Sequence, residues 1–389
     1  MSSNFDEPIR HYGTGSIKWD QYGDSNIIAL STADMDFRSP DSVREACRKI
    51  ADDNIYNYRY KPDSFYVAVI DYYRRKFNWD VQREWITNGP GIWSTARILF
   101  GAFCKPGDRI IIQSPHFAPI PPLIEDAGCH VVRNPMRYRN GRYDLDFADF
   151  ENKIKEYRPR VYFLVNPQNP TGRTFTREEL TRLSDICTRY NVLTVSDEVH
   201  CNIQFPGSVH TPLPSLNEQA RQNSILLHAA SKGYNLMGLT FCIIIIPDDD
   251  LRREWLHVQR AYNFNFASNC YSVAATTAAF SRKSDAWLAD VTAYLQNNLA
   301  FTLDYCEKYI PKLKPIKPDG GYLMWIDCRE LGLSPAELNG FFLKKARVGL
   351  TYGDSYGPGG EGFERLNFAT PRATLEEGLR RIRDAVNSL

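Results

Sequence analysis

The sequence predicts an α/β fold: a mainly parallel sheet in a large domain, joined to a smaller α+β domain. The first observation is that short apolar runs alternate with amphipathic, helix-like stretches through the middle of the chain, as in sheets built from strand–helix–strand units. The second is that this alternation stops after about residue 285, where long helical stretches surround an isolated strand-like segment. The expected strands of the central region are 109–113, 161–165, 192–196, 225–228 and 241–246.

One helix between these strands has a clear start signal. Thr176 and Glu179 have the spacing of a capping box, in which each side chain satisfies a backbone N–H group of the first turn. Leu180 and Leu183 then begin an apolar stripe at helical spacing. The apolar run 241–246 is far shorter than the roughly 20 residues of a membrane helix. Because it is rich in β-branched residues, we interpret it as a buried parallel strand.

The two ends of the chain are expected to form the smaller domain. The segment 320–327 is typical of a turn that leads into a strand, and 336–346 and 375–386 have helical periodicity. The turn-rich first forty-odd residues are expected to cover or join this domain. The predicted boundaries are 46–284 for the large domain, and 1–45 with 285–389 for the small discontinuous domain.

The composition excludes several classes of protein. Across 389 residues, 47 Lys and Arg balance 46 Asp and Glu, so the net charge of +1 gives no global attraction to nucleic acid or anionic membranes. The nine cysteines lie singly, without the spacing of zinc sites or a disulfide framework. Free thiols favour a reducing compartment, the cytoplasm. No metal site is predicted, and the first residues lack the pattern of a signal peptide.

Three successive predicted strands are each followed by a polar group. Asn169 lies in the segment N-P-Q-N-P-T-G directly after one strand, Asp197 ends the next, and Lys232 follows the third by four residues. Ligands of open α/β sheets bind at the carboxyl ends of the strands, so we expect these groups to share one site. For each residue alone the alternatives are a turn asparagine, a helix-capping aspartate and a solvated surface lysine.

The order N-P-x-N-P-T-G, S-D-E-x-H and S-K-x-x-N resembles the fold type I pyridoxal-phosphate enzymes of aminotransferase class I/II. The resemblance is strongest to the branch of cystathionine β-lyase-like carbon–sulfur lyases. It implies a fold type I transferase with a mainly parallel, mixed seven-stranded sheet, a pyridoxal 5′-phosphate (PLP) cofactor, and a homodimer with shared active sites. Further segments that match the branch are Lys18–Asp20, Ala33–Phe37, Pro62–Phe65 and Arg365–Arg372.

The resemblance implies cofactor roles for the residues at the strand ends. Lys232 is expected to bind the cofactor aldehyde covalently and later to act as the general base. Asp197 is expected to pair with the pyridine nitrogen and keep it protonated, and Asn169 to donate to the phenolic oxygen. His200 is expected near that oxygen or near Asp197. A histidine satisfied at the strand end is the alternative for His200.

The resemblance also implies partners for the phosphate and the ring. Gly91 and Ile92 lie at the start of a predicted helix, whose N-terminus attracts an anion. Ser231 is expected to add a hydroxyl, and Tyr58 to reach the phosphate of the neighbouring subunit. Phe117 is expected to stack on the pyridine ring, where the family usually has tyrosine.

On the substrate side, the resemblance implies Arg372, Asp34 and Tyr352. The guanidinium of Arg372 is the candidate for the substrate carboxylate, which it would bind through two parallel hydrogen bonds. Tyr352 and Asn57 depart from the family pattern. Thr240 stands where many aminotransferases carry a phosphate-binding arginine, which argues against an ordinary aminotransferase.

Three functions follow as hypotheses. The leading one is α,β-elimination of cystathionine or another cysteine S-conjugate to thiol, pyruvate and ammonia. An aminotransferase or specialised biosynthetic enzyme on the same scaffold is the second, motivated by the departures at Asn57, Phe117 and Tyr352. A non-catalytic PLP-binding regulator is the third, and the intact pair of Asp197 and Lys232 weighs against it. The expected partners are a small amino-acid substrate and a second copy of the chain, with no nucleic acid and no membrane.

Overall fold

The computed structural model describes residues 3–264 and 268–389. Its strands come in three groups along the chain: a short one near the start, a long series through the middle, and a final series after residue 313. In chain order they are β1 (Ile28–Ala29), β2 (Ile86–Gly89), β3 (Arg109–Ser114), β4 (His130–Pro135), β5 (Arg137–Arg139), β6 (Arg142–Asp144), β7 (Val161–Val165), β8 (Leu193–Asp197), β9 (Ser224–His228), β10 (Cys242–Ile245), β11 (Lys314–Ile316), β12 (Leu323–Asp327), β13 (Val348–Gly349), β14 (Thr351–Tyr352) and β15 (Phe363–Asn367).

The helices separate most of these strands, and the longest runs from Asp285 to Tyr309. Within the described part of the chain, none of them combines the length and the apolarity needed to cross a membrane. In chain order they are α1 (Ile17–Asp20), α2 (Asp41–Asp53), α3 (Asp63–Phe77), α4 (Ile92–Phe103), α5 (Ile120–Asp126), α6 (Phe147–Tyr157), α7 (Arg177–Arg189), α8 (Glu218–Gln222), α9 (Ser231–Tyr234), α10 (Asp249–Ala261), α11 (Cys270–Phe280), α12 (Asp285–Tyr309), α13 (Pro335–Gly340) and α14 (Arg372–Asn387).

The main sheet has seven strands in the order β2-β10-β9-β8-β7-β3-β4. All neighbouring pairs are parallel except those of β10, which runs antiparallel to both β2 and β9. The predicted mixed, mainly parallel sheet is therefore confirmed. The prediction that the run 241–246 is a parallel strand is wrong, because an all-apolar run shows that both faces are buried but carries no information on direction.

Both faces of this sheet are covered by helices. Alternate residues of one strand enter different apolar clusters: Ile110 and Ile112 pack with residues of α4 and α10, whereas Ile111 packs with residues of α6 and α7. This division follows from the two-residue period of a β-strand. The sheet is thus a middle layer, and its polar functional groups are confined to the strand ends and the loops beyond them.

Helix α7 connects β7 to β8 and begins where the sequence predicts. The Thr176 hydroxyl accepts from the Glu179 N–H at 3.2 Å, and the Glu179 carboxylate accepts from the Thr176 N–H at 2.8 Å. Arg173, just before the helix, donates two hydrogen bonds to the same carboxylate at 2.8 and 2.9 Å. The predicted capping box is confirmed, and it fixes the path of the chain from β7 into the helix.

A second sheet lies in the C-terminal part of the chain. It has the order β11-β12-β15-β14, is antiparallel throughout, and packs with α12 and α14. The expected strand within 320–327 is β12, and the helix expected at 375–386 is α14. The helix expected at 336–346 is α13, continued by a π-helical turn at Phe341–Lys345. The domain boundaries at residues 46 and 284 stay a prediction.

Glu364 is a buried carboxyl in the middle of this second sheet. It lies on β15, opposite Tyr352 of β14 and Ile326 of β12. Neither of its oxygens has a hydrogen-bond partner among the described residues. Burial raises the pKa of Glu364 well above its ordinary value, and the negative charge of Asp354 adds to the effect. Burial in the folded chain therefore favours the protonated form of this group.

We expect the E364Q variant to gain melting temperature relative to the wild type at pH 8 and to gain much less at pH 5. The contribution of Glu364 to the stability of the folded chain is fully present below its unfolded pKa of 4.5, where both states are protonated. That contribution is lost as the pH rises towards the raised folded-state pKa, because only the unfolded chain ionises. A glutamine cannot ionise. Thermal unfolding at the two pH values measures the effect, with E376Q, an exposed position on α14, as the control. An equal gain at both pH values would contradict the prediction.

Candidate active site

Three predicted residues meet at the carboxyl edge of the main sheet. Asn169 lies in the loop after β7, Asp197 is the last residue of β8, and Lys232 lies in α9, which follows β9. These strands are adjacent and parallel: Val165 pairs with Asp197, and Asp197 pairs with Leu227. The side chains that follow the strand ends are therefore brought to one edge, as the sequence predicts.

Asp197 is buried with little to stabilise its negative charge. Its carboxylate accepts a hydrogen bond from the Val199 N–H at 3.1 Å. Burial raises the pKa of Asp197 to about 7, and the hydrogen bond from the Val199 N–H opposes this rise. The negative charge of Glu198 raises the pKa further, and the positive charge of Lys232 lowers it. A carboxyl in this state gains most from a cationic partner such as a protonated ring nitrogen.

Lys232 carries an amine that is partly neutral near neutral pH. Its Nζ donates to the carbonyl of Ala33 at 3.1 Å. Burial lowers the pKa of Lys232 to about 8; the carboxylates of Asp34 and Asp197 act in the opposite direction, and Arg365 adds to the lowering. Because a neutral amine is the nucleophilic and basic form, this lysine can attack an aldehyde and accept a proton.

Asn235 fixes the segment against which Lys232 lies. Its side-chain NH₂ donates to the carbonyls of Met35 (3.0 Å) and Phe37 (2.7 Å), and its oxygen accepts from the Met35 N–H at 3.1 Å. Asn235 ends α9 with a positive φ of 58°. The asparagine of the S-K-x-x-N pattern thus joins the lysine helix to the segment around Ala33, a role that the sequence did not indicate.

A buried ion pair anchors the same segment from the other side. The Lys18 Nζ donates to the Asp36 carboxylate at 2.9 Å and to the Asp34 carbonyl at 3.1 Å, and the Trp19 indole donates to Asp36 at 2.9 Å. Lys18 and Asp36 are both almost completely buried. Breaking such a pair leaves an uncompensated buried charge, so the contact specifies one conformation. The Lys18–Asp20 and Ala33–Phe37 segments therefore have a positioning role.

The N-terminus of α4 is a candidate anion site that lies close to the residue two positions before β10. Gly91 is the N-cap, with φ 155°, and no side chain caps the first turn, which begins at Ile92. A Cβ on Gly91 would lie 3.7 Å from the Cβ of Thr240, which precedes β10. The free N–H groups and the helix dipole suit a phosphate. Ser231 begins α9 and is half-buried.

Phe117 forms an aromatic wall with Trp93. The two ring centroids are 5.2 Å apart, with the planes inclined by 52°. Trp93 lies in the first turn of α4, next to the anion site, and about half of its surface is exposed. This wall offers a flat apolar surface to a bound ring. Sequence analysis identified Phe117 and missed Trp93, which belongs to no motif.

A buried arginine, Arg365, lies directly beside Asn169. One guanidinium nitrogen donates to the Asn169 side-chain oxygen at 3.0 Å, and another donates to the Ser31 carbonyl at 3.0 Å and the Thr351 hydroxyl at 3.2 Å. The guanidinium also lies 5.4 Å from the ring centroid of Tyr356. Arg365 lacks a carboxylate partner among the described residues, so it can bind an anion such as a substrate carboxylate.

The structure does not bring the Arg372 side chain to Arg365 and Asn169. Its guanidinium donates to the Asn298 side chain at 2.9 Å and lies 4.5 Å from the ring centroid of Phe301, both on α12. Arg372 begins α14, whereas Arg365 is on β15, so the two arginines of one short segment point to different neighbours. The sequence signal for Arg365 was present, since it opens the R-L-N-F-A-T-P-R segment.

Tyr352 is likewise separated from Arg365. Antiparallel pairing puts Thr351 opposite Arg365 and Tyr352 opposite Glu364. Because successive strand residues point to opposite faces, Tyr352 shares the face of Glu364. The Tyr352 side chain therefore lies on the opposite face of the sheet from Arg365, although the sequence predicts that Tyr352 contacts the substrate.

The remaining predicted residues have distinct surroundings. His200 is buried, its ring centroid is 6.5 Å from that of Tyr322, and burial together with the charges of Lys232 and Arg365 lowers its pKa to about 3. It is therefore neutral. Asp34 is half-buried beside Lys232, and Tyr58 is exposed on the loop between α2 and α3.

Together these groups match a phosphorylated pyridine aldehyde. Lys232 offers an amine for the aldehyde, Asp197 a carboxyl for the ring nitrogen, and Asn169 an amide for the phenolic oxygen. The uncapped N-terminus at Gly91 offers N–H donors for the phosphate. A single ligand with these four features offers a partner to the buried carboxyl of Asp197, to the buried amine of Lys232 and to the open helix end.

Comparisons with known proteins agree with this chemistry. Residues 25–382 match the model of the family described as aminotransferase class I and II. The chain is 37% identical to cystathionine beta-lyase PatB of Bacillus subtilis, over 99% of this chain and 100% of that protein. It is similar to the structure of cystalysin from Treponema denticola, which contains PLP (28% identity, TM-score 0.94, 100% of both chains). It is also similar to a PLP-bound C-S lyase from Staphylococcus hominis (28% identity, TM-score 0.92, 99% of this chain and 98% of that one).

We expect the G233A variant to be destabilised by about 1–3 kcal/mol, since overpacking a closely packed site has this cost. A Cβ on Gly233 would lie 2.4 Å from the Cβ of Asn202, which is too short for the two to coexist without a shift of α9. The control is G238A, where a Cβ would meet nothing within 4 Å. Thermal or urea unfolding measures the difference, and equal stability of the two variants would refute it.

Proposed function

Because the chain belongs to the aminotransferase class I and II family, we propose that it is a PLP-dependent carbon–sulfur β-lyase. It cleaves the bond between the β-carbon and sulfur of cystathionine or another cysteine S-conjugate and releases a thiol, pyruvate and ammonia. The observation that carries the proposal is the meeting of Lys232, Asp197, Asn169 and Arg365 at one sheet edge. The names of the relatives, cystathionine beta-lyase and C-S lyase, support the choice of leaving group.

The cofactor-side residues have separate tasks. Bound PLP supplies an aldehyde that joins amines and a ring that accepts the electron pair released at the α-carbon. Asp197 holds the proton on the ring nitrogen. Because Arg365 occupies the side-chain oxygen of Asn169, the asparagine presents its NH₂ group to the phenolic oxygen. The N–H groups at Gly91 and Ile92 bind the phosphate, and Phe117 stacks on the ring.

Arg365 binds the α-carboxylate of the substrate, in place of Arg372. The guanidinium is held in one position beside Asn169. It donates to Ser31 and Thr351 and stacks on Tyr356. Anchoring the carboxylate there decides which bond at the α-carbon stands perpendicular to the ring. Orientation of this kind selects the C–H bond for cleavage.

Lys232 moves the proton at the α-carbon. With a pKa of about 8, a substantial fraction of its amine is neutral near pH 7.5 and can accept that proton. The C–S bond then breaks, and its electron pair leaves with the sulfur. The neutral His200 beside the site adds no positive charge that would compete with Arg365 for the carboxylate.

The proposal includes a second copy of the chain. The loop between α2 and α3 exposes Ile55, Tyr56, Tyr58 and Tyr60. In a homodimer this loop packs on the neighbour, and Tyr58 donates to the neighbour's phosphate. The expected compartment is the cytoplasm, because nine unpaired thiols persist best where reductants keep them reduced.

Turnover of a panel of substrates tests the lyase. We expect the loaded enzyme to release pyruvate and free thiol in equal amounts from cystathionine or another S-substituted cysteine. K232A is expected to lose both products, since no other described residue replaces its amine. Transfer of the amino group to a keto acid, with the substrate side chain retained, would contradict the lyase and support an aminotransferase.

A matched pair of arginine variants tests the substrate-side assignment. We expect R365K to raise KM for the amino-acid substrate about tenfold or more, because lysine cannot form two parallel bonds to a carboxylate. R372K is expected to leave KM within about twofold and to lower the melting temperature, since Arg372 joins α14 to α12. Steady-state kinetics and thermal unfolding separate the two. The reverse ranking of the KM effects would restore Arg372 as the carboxylate ligand.

A further inference from the structure

The carbonyl of Ala33 accepts two hydrogen bonds inside the site. One comes from the Lys232 amine at 3.1 Å, and the other from the Tyr322 hydroxyl at 2.8 Å. Tyr322 is fully buried, and burial raises the pKa of its hydroxyl well above the ordinary value, so it stays a neutral donor. The carbonyl is thereby held in one orientation, and the amine of Lys232 has a fixed resting point.

Asp34 follows this carbonyl directly, and its backbone and side chain have different roles. Its carbonyl accepts from the Lys18 amine at 3.1 Å and from the Asn367 side chain at 2.7 Å, and its N–H donates to the Thr32 carbonyl at 2.8 Å. The half-buried carboxylate, by contrast, forms no hydrogen bond or ion pair with any residue that the structure describes. The backbone of Asp34 thus anchors the segment to Lys18, Asn367 and Thr32. Its carboxylate remains unpaired near the amine of Lys232.

Four charged or titratable groups lie close enough to Lys232 to interact with it electrostatically. They are Asp34, Asp197, Arg365 and His200, which come from four different parts of the chain. In the proposed function, Asp197 serves the ring nitrogen and Arg365 serves the substrate carboxylate, and His200 is neutral. Asp34 is the carboxylate that stays available to balance a positive charge on Lys232.

We propose that Asp34 is a positioning residue that holds the ammonium form of Lys232 at the Ala33 carbonyl. The lysine becomes an ammonium when it takes the α-proton. Held beside Asp34, it keeps that proton and a fixed position while the C–S bond breaks and the electron pair leaves on sulfur. The inference rests on the proposed function for its purpose, but the position of Asp34 next to the carbonyl that binds Lys232 is a property of the protein alone.

The test measures the pH dependence of acylation of Lys232 by acetic anhydride in the full chain freed of cofactor, read by mass spectrometry of the Lys232 peptide. We expect D34N to lower the midpoint by roughly 0.5–1 pH unit, as the loss of a nearby opposite charge does. D34E is expected to restore it. D290N, an exposed position on α12, is the control and should leave the midpoint unchanged. If D34N does not fold, D34S removes the same charge in a smaller side chain.

A second readout uses the loaded enzyme. The midpoint of the pH titration of its visible absorbance band is also expected to fall in D34N and to return in D34E. A D34N variant with a lower melting temperature but both midpoints unchanged would overturn the proposal and leave Asp34 a structural residue. Unchanged midpoints with a raised KM would overturn it in favour of a direct contact between Asp34 and substrate. Because acylation needs no turnover, a shifted midpoint without pyruvate release would refute the lyase and not the effect of Asp34 on Lys232.

Discussion

The burial of an amine and a carboxyl at one edge of a sheet is the constraint on which the rest of the site depends. Desolvation lowers the pKa of Lys232 to about 8 and raises that of Asp197 to about 7, so each group is only partly ionised near neutral pH. The protein partly offsets this cost with fixed dipoles, the Ala33 carbonyl for the amine and the Val199 N–H for the carboxyl. An aldehyde and a basic ring nitrogen are the complementary partners, and PLP carries both.

The site is complete only when distant parts of the chain meet. Lys232 and Ala33 are 199 residues apart in sequence, and Arg365 and Asn169 are 196 apart. The N-terminal segment is held by the buried pair of Lys18 and Asp36, and Arg365 is delivered by a strand of the second sheet. In the proposed function, the main sheet supplies the groups for the cofactor, and the segments outside it supply those for the substrate carboxylate and the lysine amine.

Sequence reasoning placed three polar residues at one edge of the sheet because a single rule covers them: groups that follow successive parallel strands meet at the same edge. It identified Asn169, Asp197 and Lys232 and the capping box of α7 for this reason. It was wrong about the direction of β10, and it could not decide which side chains of the second sheet lie near Asn169. An apolar run does not show that β10 is antiparallel. The choice between Arg365 and Arg372 depends on where β15 ends and α14 begins, and the face of Tyr352 depends on its register with β15. Asn235 carries no local signal, because its partners lie about 200 residues away.

Arg365 also links the two halves of the proposed reaction. It donates to the side-chain oxygen of Asn169 and so leaves the NH₂ group of that amide for the phenolic oxygen of the cofactor in the proposed site. The Nε of the same guanidinium is buried without a hydrogen-bond partner among the described residues, so the arginine keeps a donor for an incoming anion while it holds Asn169. Hydrogen bonds in a low-dielectric site polarise one another. In the proposed reaction a carboxylate bound to Arg365 would therefore also change the polarisation of the Asn169 amide, which couples the substrate side of the site to the cofactor side.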